Sequence, residues 1–339
     1  MRTLPRGRAV AATLPGATLG WPAAAAVALL AAAALGSDSV NDSLAESVGD
    51  ISLAPQVAAL LVLVLAVAVH FVSAAGSLRA VSARPLSMLQ TTYAQLAAGA
   101  TNRLLPGGVG GAGVNLRYLG KAGLPAGAAA SAVGALAVVG VVTDALYGAG
   151  VTVIGPLVGL TGAAAEMRSL AVRGASGGSQ YRWALAALLV IVCMVAAVRL
   201  RRGLPAAAGR ALREASGHVR TLGIRPRYLT TALLASTLTT AVLSLGFVVA
   251  VATFGSSATP LSAGALVALY LVAAAFNGAS PLPPWLGATE LLMFGSLTVA
   301  GYTAGSAVLA VVAFRAVTYW LPLPVGLWSA RRLRRANLL

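Results

Sequence analysis

The sequence predicts an all-α protein, a polytopic membrane helix bundle with two re-entrant hairpins in inverted-topology repeats. Of the 339 residues, 58% are hydrophobic and only 9% are charged, whereas a soluble domain carries roughly 25% charged residues. Two similar segments, 102–115 and 277–290, each interrupt an apolar run with proline and glycine. Paired interruptions of this kind in the two halves of a membrane protein indicate a binding site near the bilayer midplane.

Six segments are expected to cross the membrane, because each is apolar and a crossing helix needs about 20 such residues. Their approximate bounds are 20–36, 54–77, 126–146, 183–199, 228–253 and 304–328.

Charge clusters between these segments set the direction of each crossing. Acidic residues follow the first segment, at 38–50. Basic loops are retained in the cytoplasm, so both termini, including a basic N-terminal segment at 1–19, are expected on the cytoplasmic side of the inner (plasma) membrane. The arginines are concentrated at 2–8, 79–84, 199–227 and 331–335.

Two pairs of shorter segments do not reach across a bilayer and are predicted to form hairpins that return to the side they entered. The first pair, 86–101 and 108–119, would open to the cytoplasm. The second pair, 261–276 and 285–299, would open to the outside. Irregular backbone at membrane depth is tolerated only against protein or a wet cavity, so a polar cavity is expected between the hairpins. The predicted turn residues are Pro106, Gly107, Gly110, Gly111, Pro281, Pro284 and Gly287.

The hairpins belong to two repeat units of opposite orientation within one membrane domain at 20–335. The units are placed at about 54–150 and 228–330, and the segment 151–227 links them. If 147–165 formed a separate crossing, the number of crossings would change and the opposite orientation would be lost.

Glu290 is the first candidate for a binding role, because an unpaired carboxylate in an apolar span is costly. Arg315 lies in an otherwise uncharged stretch and is its expected partner. Aligning the segment 102–115 with 277–290 superposes Asn115 on Glu290, and Arg117 follows in the first hairpin. Two interpretations of the ion pair stay open. It is either a structural link or a switchable pair that exchanges with a phosphate, which the planar guanidinium binds well.

Other polar residues lie at or near the breaks. The same alignment superposes Asn102 on Asn277, and both are expected to bond backbone groups that the broken helices leave free. Arg103 either reaches the ligand or extends towards the membrane surface. His70 is interpreted as a packed or interfacial residue near the inner end of its helix, and Asp144 as an interfacial residue near the outer end.

Other functional classes lack the sequence features that they require. The formal net charge of +16 does not indicate nucleic-acid binding, because the arginines lie between apolar spans rather than on a basic soluble face. The single cysteine, Cys193, excludes an internal disulfide and a cysteine metal cluster. No metalloprotease motif, phosphate-binding loop or nucleophile elbow occurs, so neither a cofactor nor a metal is expected.

Three stretches carry a resemblance to a known family. They read Asn-Arg-Leu-Leu-Pro-Gly-Gly-Val-Gly-Gly from Asn102, Pro-Trp-Leu-Gly-Ala-Thr-Glu from Pro284 and Phe-Arg-Ala-Val-Thr-Tyr-Trp-Leu-Pro from Phe314. In this order they resemble the lysylphosphatidylglycerol synthase transmembrane region family, the flippase-like domain that also occurs in the multiple peptide resistance factor. The resemblance covers roughly 20–335 and implies a multi-pass bacterial inner-membrane protein that handles lipids.

At the level of residues, the resemblance places Glu290, Arg315 and Arg117 at motif positions of the family. Asn115 stands where many relatives have an acidic residue, which argues against a symmetric mechanism with two carboxylates. No soluble aminoacyl-transferase domain follows Leu339, so enzyme activity is not expected.

The resulting hypothesis is translocation of an anionic lipid, either a phospholipid or a polyprenyl-phosphate-linked lipid, with membrane lipids as the partners. One alternative is a polyprenyl-phosphate-dependent membrane glycosyltransferase that uses the acidic residues at 38–50. Another is a secondary transporter of a small solute. The candidate binding residues are Glu290, Arg315, Arg117, Asn115, Asn102, Arg103 and Asn277.

Overall fold

The computed structural model describes residues 38–49, 53–105, 109–153, 155, 163–176, 217, 225–279 and 287–339. Within these ranges the regular structure is helical, and an isolated β-bridge joins Ser257 to Tyr302. The predicted crossings at 20–36 and 183–199 lie outside the described residues. The same holds for four of the predicted turn residues, Pro106, Gly107, Pro281 and Pro284.

The helices follow the predicted order of long and short segments. A π-helical turn at Ala316–Trp320 joins the last two of them. In chain order the helices are α1 (Asp38–Gly49), α2 (Leu53–Ser82), α3 (Met88–Leu104), α4 (Val109–Lys121), α5 (Ala126–Val153), α6 (Ala163–Ser176), α7 (Pro226–Phe254), α8 (Ala263–Ala279), α9 (Ala288–Val299), α10 (Ala304–Arg315) and α11 (Pro322–Arg335).

Four helices of the described ranges are long and apolar enough to cross a membrane. They are α2, α5, α7 and the continuous helix 304–335, which consists of α10, the π-helical turn and α11. Each corresponds to a predicted crossing, so the prediction of a multi-pass membrane protein is confirmed. Both α2 and α5 are longer than predicted, since α2 extends to Ser82 and α5 to Val153. Residues 147–153 continue α5, which removes the alternative of a separate crossing at 147–165.

The shorter helices form two pairs, α3 with α4 and α8 with α9. In the first pair, a Cβ added to Gly110 would lie 2.5 Å from the carbonyl oxygen of Thr101. In the second pair, the Thr289 hydroxyl donates to the Asn277 side chain at 3.4 Å. The alignment that superposes Asn102 on Asn277 also maps both ends of α3 onto those of α8. The two pairs therefore occupy corresponding places in the chain.

The first pair packs along α11 and opens at the C-terminal end of that helix. The ring of Tyr93 in α3 meets Trp328 edge-on, with the centroids 5.6 Å apart. Lys121, at the end of α4, donates to the Asn337 side chain at 3.0 Å. The open end of the pair thus lies beside the arginine-rich end of α11.

The second pair opens at the opposite end of the helix 304–335. The Leu261 amide, just before α8, donates to the Tyr302 hydroxyl, just before α10, at 3.1 Å. The Ser262 amide donates to the Glu166 carboxylate of α6 at 2.9 Å. The two pairs therefore approach the middle of one long helix from its two ends.

Two apolar clusters hold these helices together. In the larger cluster the rings of Phe247, Tyr270 and Phe314 pack on one another, with centroid distances of 5.3 to 6.4 Å. These rings join α7, α8 and the end of α10. The smaller cluster surrounds the first pair and includes the buried side chains of Tyr118 and Leu333.

The packing of α11 on α3 depends on a glycine. A Cβ added to Gly326 would overlap the carbonyl oxygen of Leu96, whereas a Cβ added to Gly140 of α5 would meet nothing within 4 Å. Alanine in place of a helical glycine stabilises by about 0.5–1 kcal/mol where space is free, and overpacking costs about 1–3 kcal/mol. We therefore expect Gly140→Ala to raise, and Gly326→Ala to lower, the unfolding temperature of the purified protein in detergent. Equal shifts in the two variants would contradict the close contact.

Candidate functional site

The middle of the helix 304–335 combines a π-helical turn with a proline. In the turn, the Leu321 amide donates to the Ala316 carbonyl, five residues earlier, at 2.8 Å. Pro322 has no amide hydrogen, so the Thr318 carbonyl lacks the donor that a regular α-helix places four residues later. Insertions of this π type are frequent at functional sites. A backbone acceptor is therefore available near the centre of a crossing helix.

Arg103, in the last turn of α3, occupies this acceptor. Its Nη2 donates to the Thr318 carbonyl at 2.8 Å, and the Tyr319 hydroxyl donates to the Arg103 carbonyl at 3.2 Å. The second contact satisfies one of the carbonyls left free at the end of α3. The guanidinium lies 6.0 Å from the ring centroid of Phe71 and 5.3 Å from that of Tyr319, within cation–π range. The tip of the first pair is thereby tied to the central turn.

Glu290 forms the expected ion pair with Arg315, because Arg315 Nε lies 2.6 Å from Glu290 Oε1. It is the one salt bridge within the described ranges. The Arg315 guanidinium also lies 4.3 Å from the ring centroid of Tyr319. Gly287, with a φ of 78°, starts α9 in a conformation that favours glycine. Glu290 then falls in the first turn of α9, where the positive end of the helix dipole favours a carboxylate.

The two corresponding asparagines fix the start of each returning helix. Asn102 Oδ1 accepts a hydrogen bond from the Gly111 amide, in the first turn of α4, at 2.6 Å. This is the expected bond to a free backbone group. Asn277 Oδ1 accepts instead from the side-chain hydroxyl of Thr289, in the first turn of α9. The sequence placed Gly110 and Gly111 in the turn, but both are helical; lacking side chains, they let α4 approach α3.

A cavity of about 300 Å³ lies where the two short-helix pairs meet the central turn. This volume is at the lower end of the range for small-molecule sites, roughly 300–1,000 Å³. The described residues that line it are His70, Phe71, Gly99, Asn102, Arg103, Leu243, Tyr270, Ala274, Asn277, Thr289, Met293, Phe314, Arg315, Thr318 and Tyr319.

Two positive groups on the cavity wall each have one donor atom without a partner in the described part of the chain. Arg103 and Arg315 line the cavity, and its described lining residues include no carboxylate. Arg103 Nε and Arg315 Nη2 are buried and have no hydrogen-bond partner in the described part of the chain. An unsatisfied buried donor costs about 1–3 kcal/mol, and guanidinium groups bind oxyanions in a fixed planar geometry. The cavity is therefore suited to a phosphate or carboxylate ligand.

His70 also lines the cavity, which the sequence did not predict. Because α2 extends to Ser82, His70 lies near the middle of its helix rather than near its inner end. Its Nδ1 is 3.1 Å from the Thr239 carbonyl oxygen. A carbonyl oxygen only accepts, so Nδ1 carries the hydrogen and Nε2 is an acceptor in the neutral ring. The sequence signal that could have identified His70 as a cavity residue is that it is the single histidine of a span without charged residues.

Three of the predicted binding residues, Glu290, Asn115 and Arg117, do not line the cavity. Asn115 is buried between α3 and α4 and accepts from Gln95 Nε2 at 3.1 Å. Arg117 is exposed, because two steps along an α-helix turn a side chain by about 200° away from Asn115. The binding role of Asn115 and Arg117 stays a prediction. The predicted residues that the structure does bring together are Glu290, Arg315, Arg103, Asn102 and Asn277.

The acidic helix α1 lies apart from the cavity. It packs at the start of α10, where the Gly305 amide donates to the Ser43 hydroxyl at 2.9 Å. Asp42 and Glu46 are exposed there, and Arg315 is ten residues farther along the helix, about 15 Å away. Within the described ranges, no three His, Cys, Asp or Glu residues are grouped closely enough to hold a metal ion.

No curated protein matches the sequence. A family model described as lysylphosphatidylglycerol synthase TM region matches residues 10–326. The matched range contains both short-helix pairs and the Glu290–Arg315 pair, and it covers most of the chain. This chain therefore belongs to the lysylphosphatidylglycerol synthase TM region family.

Proposed function

We propose that this protein is a flippase-like carrier that moves an anionic lipid across the bacterial inner membrane. The lipid is a phospholipid or a polyprenyl-phosphate-linked lipid. The observation that carries the proposal is the cavity at the tips of both helix pairs, where two arginines present buried donors that have no partner among the described residues. A phosphate group supplies the acceptors that these donors lack. Membership of the family supports the flippase-like role.

In the proposed arrangement, the two pairs are re-entrant hairpins that enter the membrane from opposite faces. The first pair opens beside the arginine-rich end of α11, and arginine clusters are retained on the cytoplasmic side. The first hairpin and both termini therefore face the cytoplasm, and the second hairpin faces the outside. The correspondence between the bounds of α3 and those of α8 supports an inverted repeat. Transporters built from such repeats bind their substrate near the midplane.

The cavity volume supports binding of a headgroup rather than of a whole lipid. At about 300 Å³, the cavity accommodates a phosphate with a small polar substituent, while the acyl chains stay in the bilayer. The tips of both hairpins contribute to its wall through Asn102 and Asn277. We therefore expect movement of one hairpin to open the cavity to the cytoplasm and movement of the other to open it to the outside.

Glu290 provides the anion that competes with the phosphate. Its Oε1 is paired with Arg315 Nε, whereas its Oε2 and Arg315 Nη2 have no partner in the described ranges. A phosphate oxygen can bind Nη2 while the Nε–Oε1 contact is kept. When the phosphate leaves, a small rotation lets the carboxylate and the guanidinium form two parallel bonds. When the ligand is released, the bond from Arg315 Nη2 to the phosphate is therefore replaced by a bond to Glu290.

The first test is replacement of the carboxylate. Glu290→Gln keeps the shape of the side chain but leaves Arg315 without its counter-ion, so we expect the phosphate to be held longer. Translocation should slow by at least about tenfold, which corresponds to about 1.4 kcal/mol. The measurement is the accessibility of fluorescent phosphatidylglycerol to an impermeant reductant in proteoliposomes. Glu46→Gln on the exposed face of α1 is the control, and equal rates in all three proteins would remove the role of Glu290.

A second test separates the structural role of the ion pair from its transport role. Arg315→Met alone should lower the free energy of unfolding by about 3 kcal/mol, because Glu290 loses its partner. We take the lower end of the range, since the Glu290 side chain is 29% exposed. The double variant Glu290→Gln/Arg315→Met should recover most of this stability without recovering translocation. Recovery of both would assign the pair a purely structural role.

A third test compares the two candidate arginines of the first hairpin. Arg103→Gln removes a cavity donor, and Arg117→Gln removes an exposed charge outside the cavity. We expect Arg103→Gln to weaken binding of phosphatidylglycerol by at least about tenfold, measured by native mass spectrometry against phosphatidylcholine. Arg117→Gln should bind as the unmodified protein does. If Arg117→Gln weakened binding more than Arg103→Gln, the headgroup would bind at Arg117 rather than in this cavity.

A further inference from the structure

Asp144 carries a carboxylate at the middle depth of the helix bundle, outside the cavity. The Thr240 hydroxyl donates to its Oδ1. Thr240 is the central residue of α7, with fourteen residues on either side. At 1.5 Å per residue each arm is about 21 Å long, more than half of a hydrocarbon core of about 30 Å. Asp144 is therefore not at the end of its helix, because α5 continues to Val153 beyond it.

The surface around this carboxylate is apolar. Val141, Val142 and Leu146 of the same helix are exposed by 71%, 44% and 63%, as residues that face lipid are. Asp144 is itself exposed, and within the described ranges it forms no ion pair. An ionised carboxylate in such surroundings is costly, and groups of this kind are typical of proton and ion pathways. Uptake of a proton removes the charge.

The carboxylate belongs to a line of polar contacts between α5 and α7. Thr143 donates to the Ser236 hydroxyl at 2.8 Å, and the hydroxyls of Tyr147 and Ser244 lie 2.9 Å apart. Ser236, Thr240 and Ser244 follow one another at intervals of four residues, so they share one face of α7. The three contacts lie one helical turn apart along α7, and each of these hydroxyls both donates and accepts.

This line of contacts is connected to the cavity through α7 and α8. The Thr239 carbonyl, next to the hydroxyl that contacts Asp144, accepts from His70 Nδ1, and His70 lines the cavity. Tyr270 of α8 also lines the cavity. Through the adjacent residues Thr239 and Thr240, α7 therefore contacts both the cavity wall and Asp144.

The titratable groups on the neighbouring helices are few. At middle depth, α8 presents Tyr270 and α2 presents His70, whereas α7 presents only hydroxyls to α5. The charged residues of the remaining neighbours, α4 and α6, belong to the two ends of α5, next to the contacts Lys121–Asn337 and Glu166–Ser262. They are Arg117, Lys121, Glu166, Arg168 and Arg173.

We propose that Asp144 is a proton-binding site that couples translocation of the lipid to a proton gradient, an inference that rests on the proposed function. The ionised carboxylate accepts from Thr240. On protonation an O–H bond forms at Oδ2, and the neutral carboxyl tolerates the apolar surface. The same O–H bond breaks when the proton leaves towards the other side. In this proposal the proton gradient supplies the driving force.

The first experiment detects the proton on the carboxyl without measuring transport. Dicyclohexylcarbodiimide adds the O–H of a protonated carboxyl across its C=N bond, and the labelled residue is located by mass spectrometry. In liposomes of phosphatidylethanolamine and phosphatidylglycerol, we expect labelling of Asp144 that decreases as the pH is raised, because only the protonated carboxyl reacts. Asp42 and Glu46, which are exposed on α1, serve as internal controls. Labelling of Asp144 no stronger than that of Asp42 at every pH would overturn the proposal.

The second experiment measures coupling. With one proton moved per lipid, a gradient of one pH unit should distribute fluorescent phosphatidylglycerol between the leaflets with a ratio of up to about tenfold. Asp144→Asn keeps the acceptor for Thr240 but cannot release a proton, so the ratio should fall to that found without a gradient. Asp144→Glu and Thr240→Val keep a titratable carboxyl and should retain the asymmetry. An Asp144→Asn protein that responds to the gradient as the unmodified protein does would contradict the coupling.

The outcomes separate this inference from the proposed function. If the unmodified protein translocates the lipid at the same rate with and without a gradient, the proposed coupling through Asp144 is wrong and the proposed lipid transport is supported. If it translocates no lipid but Asp144 is labelled in a pH-dependent manner, the proposed proton site is supported and the proposed lipid transport is wrong.

Discussion

The bond between Arg103 and the Thr318 carbonyl holds the two halves of the site together. It forms because Pro322 withholds the amide that would otherwise satisfy this carbonyl, and the π-helical turn around it also presents Arg315 and Tyr319 to the cavity. The tip of the first helix pair is thus fixed to the same turn that carries the ion pair of the second. Without this bond, the Arg103 guanidinium would lose the hydrogen-bond acceptor that it has among the described residues. The bond therefore holds one of the two positive groups of the cavity wall at the central turn.

Corresponding segments of the two halves differ in charge, and the rule that buried charges occur in pairs explains the difference. Aligning α3 with α8 places Asn115 at the position of Glu290, and aligning the starts of α5 and α10 places Ala137 at the position of Arg315. Both members are uncharged in the first half and both are charged in the second. A change of only one would leave a buried charge without a partner, at a cost of about 3–5 kcal/mol. The first half contributes a cation from a different place, the tip of α3, where Arg103 has a carbonyl to bind.

Residue types were enough to predict the helices and the ion pair. Contacts between residues that are far apart in the sequence could not be predicted. The crossing helices and the short pairs were predictable from apolar length, and the Glu290–Arg315 pair from the scarcity of charge, because an embedded carboxylate requires a partner. The contact of Arg103 was not predictable, since it depends on which carbonyl is left free 215 residues away. His70 and Asp144 were placed too close to the ends of their helices. Hydropathy ends a helix where polar residues begin, whereas α2 and α5 continue to residues 82 and 153.

The charge of the site restricts the ligands that it can hold. Arg103 and Arg315 contribute two positive charges and Glu290 contributes one negative charge, so one positive charge remains at the middle depth of the bundle. An uncompensated charge at that depth is costly, and a ligand with a single negative charge removes the cost. A phosphodiester carries one such charge, whereas a phosphomonoester or a pyrophosphate brings a surplus that the cavity would leave unpaired. We therefore infer that a phosphodiester headgroup fits this site better than either. In the proposed transport cycle, departure of the phosphodiester restores the excess positive charge. A carboxylate that can move from one-point to two-point contact with Arg315 reduces the cost of that step, which a neutral acceptor at position 290 would not do.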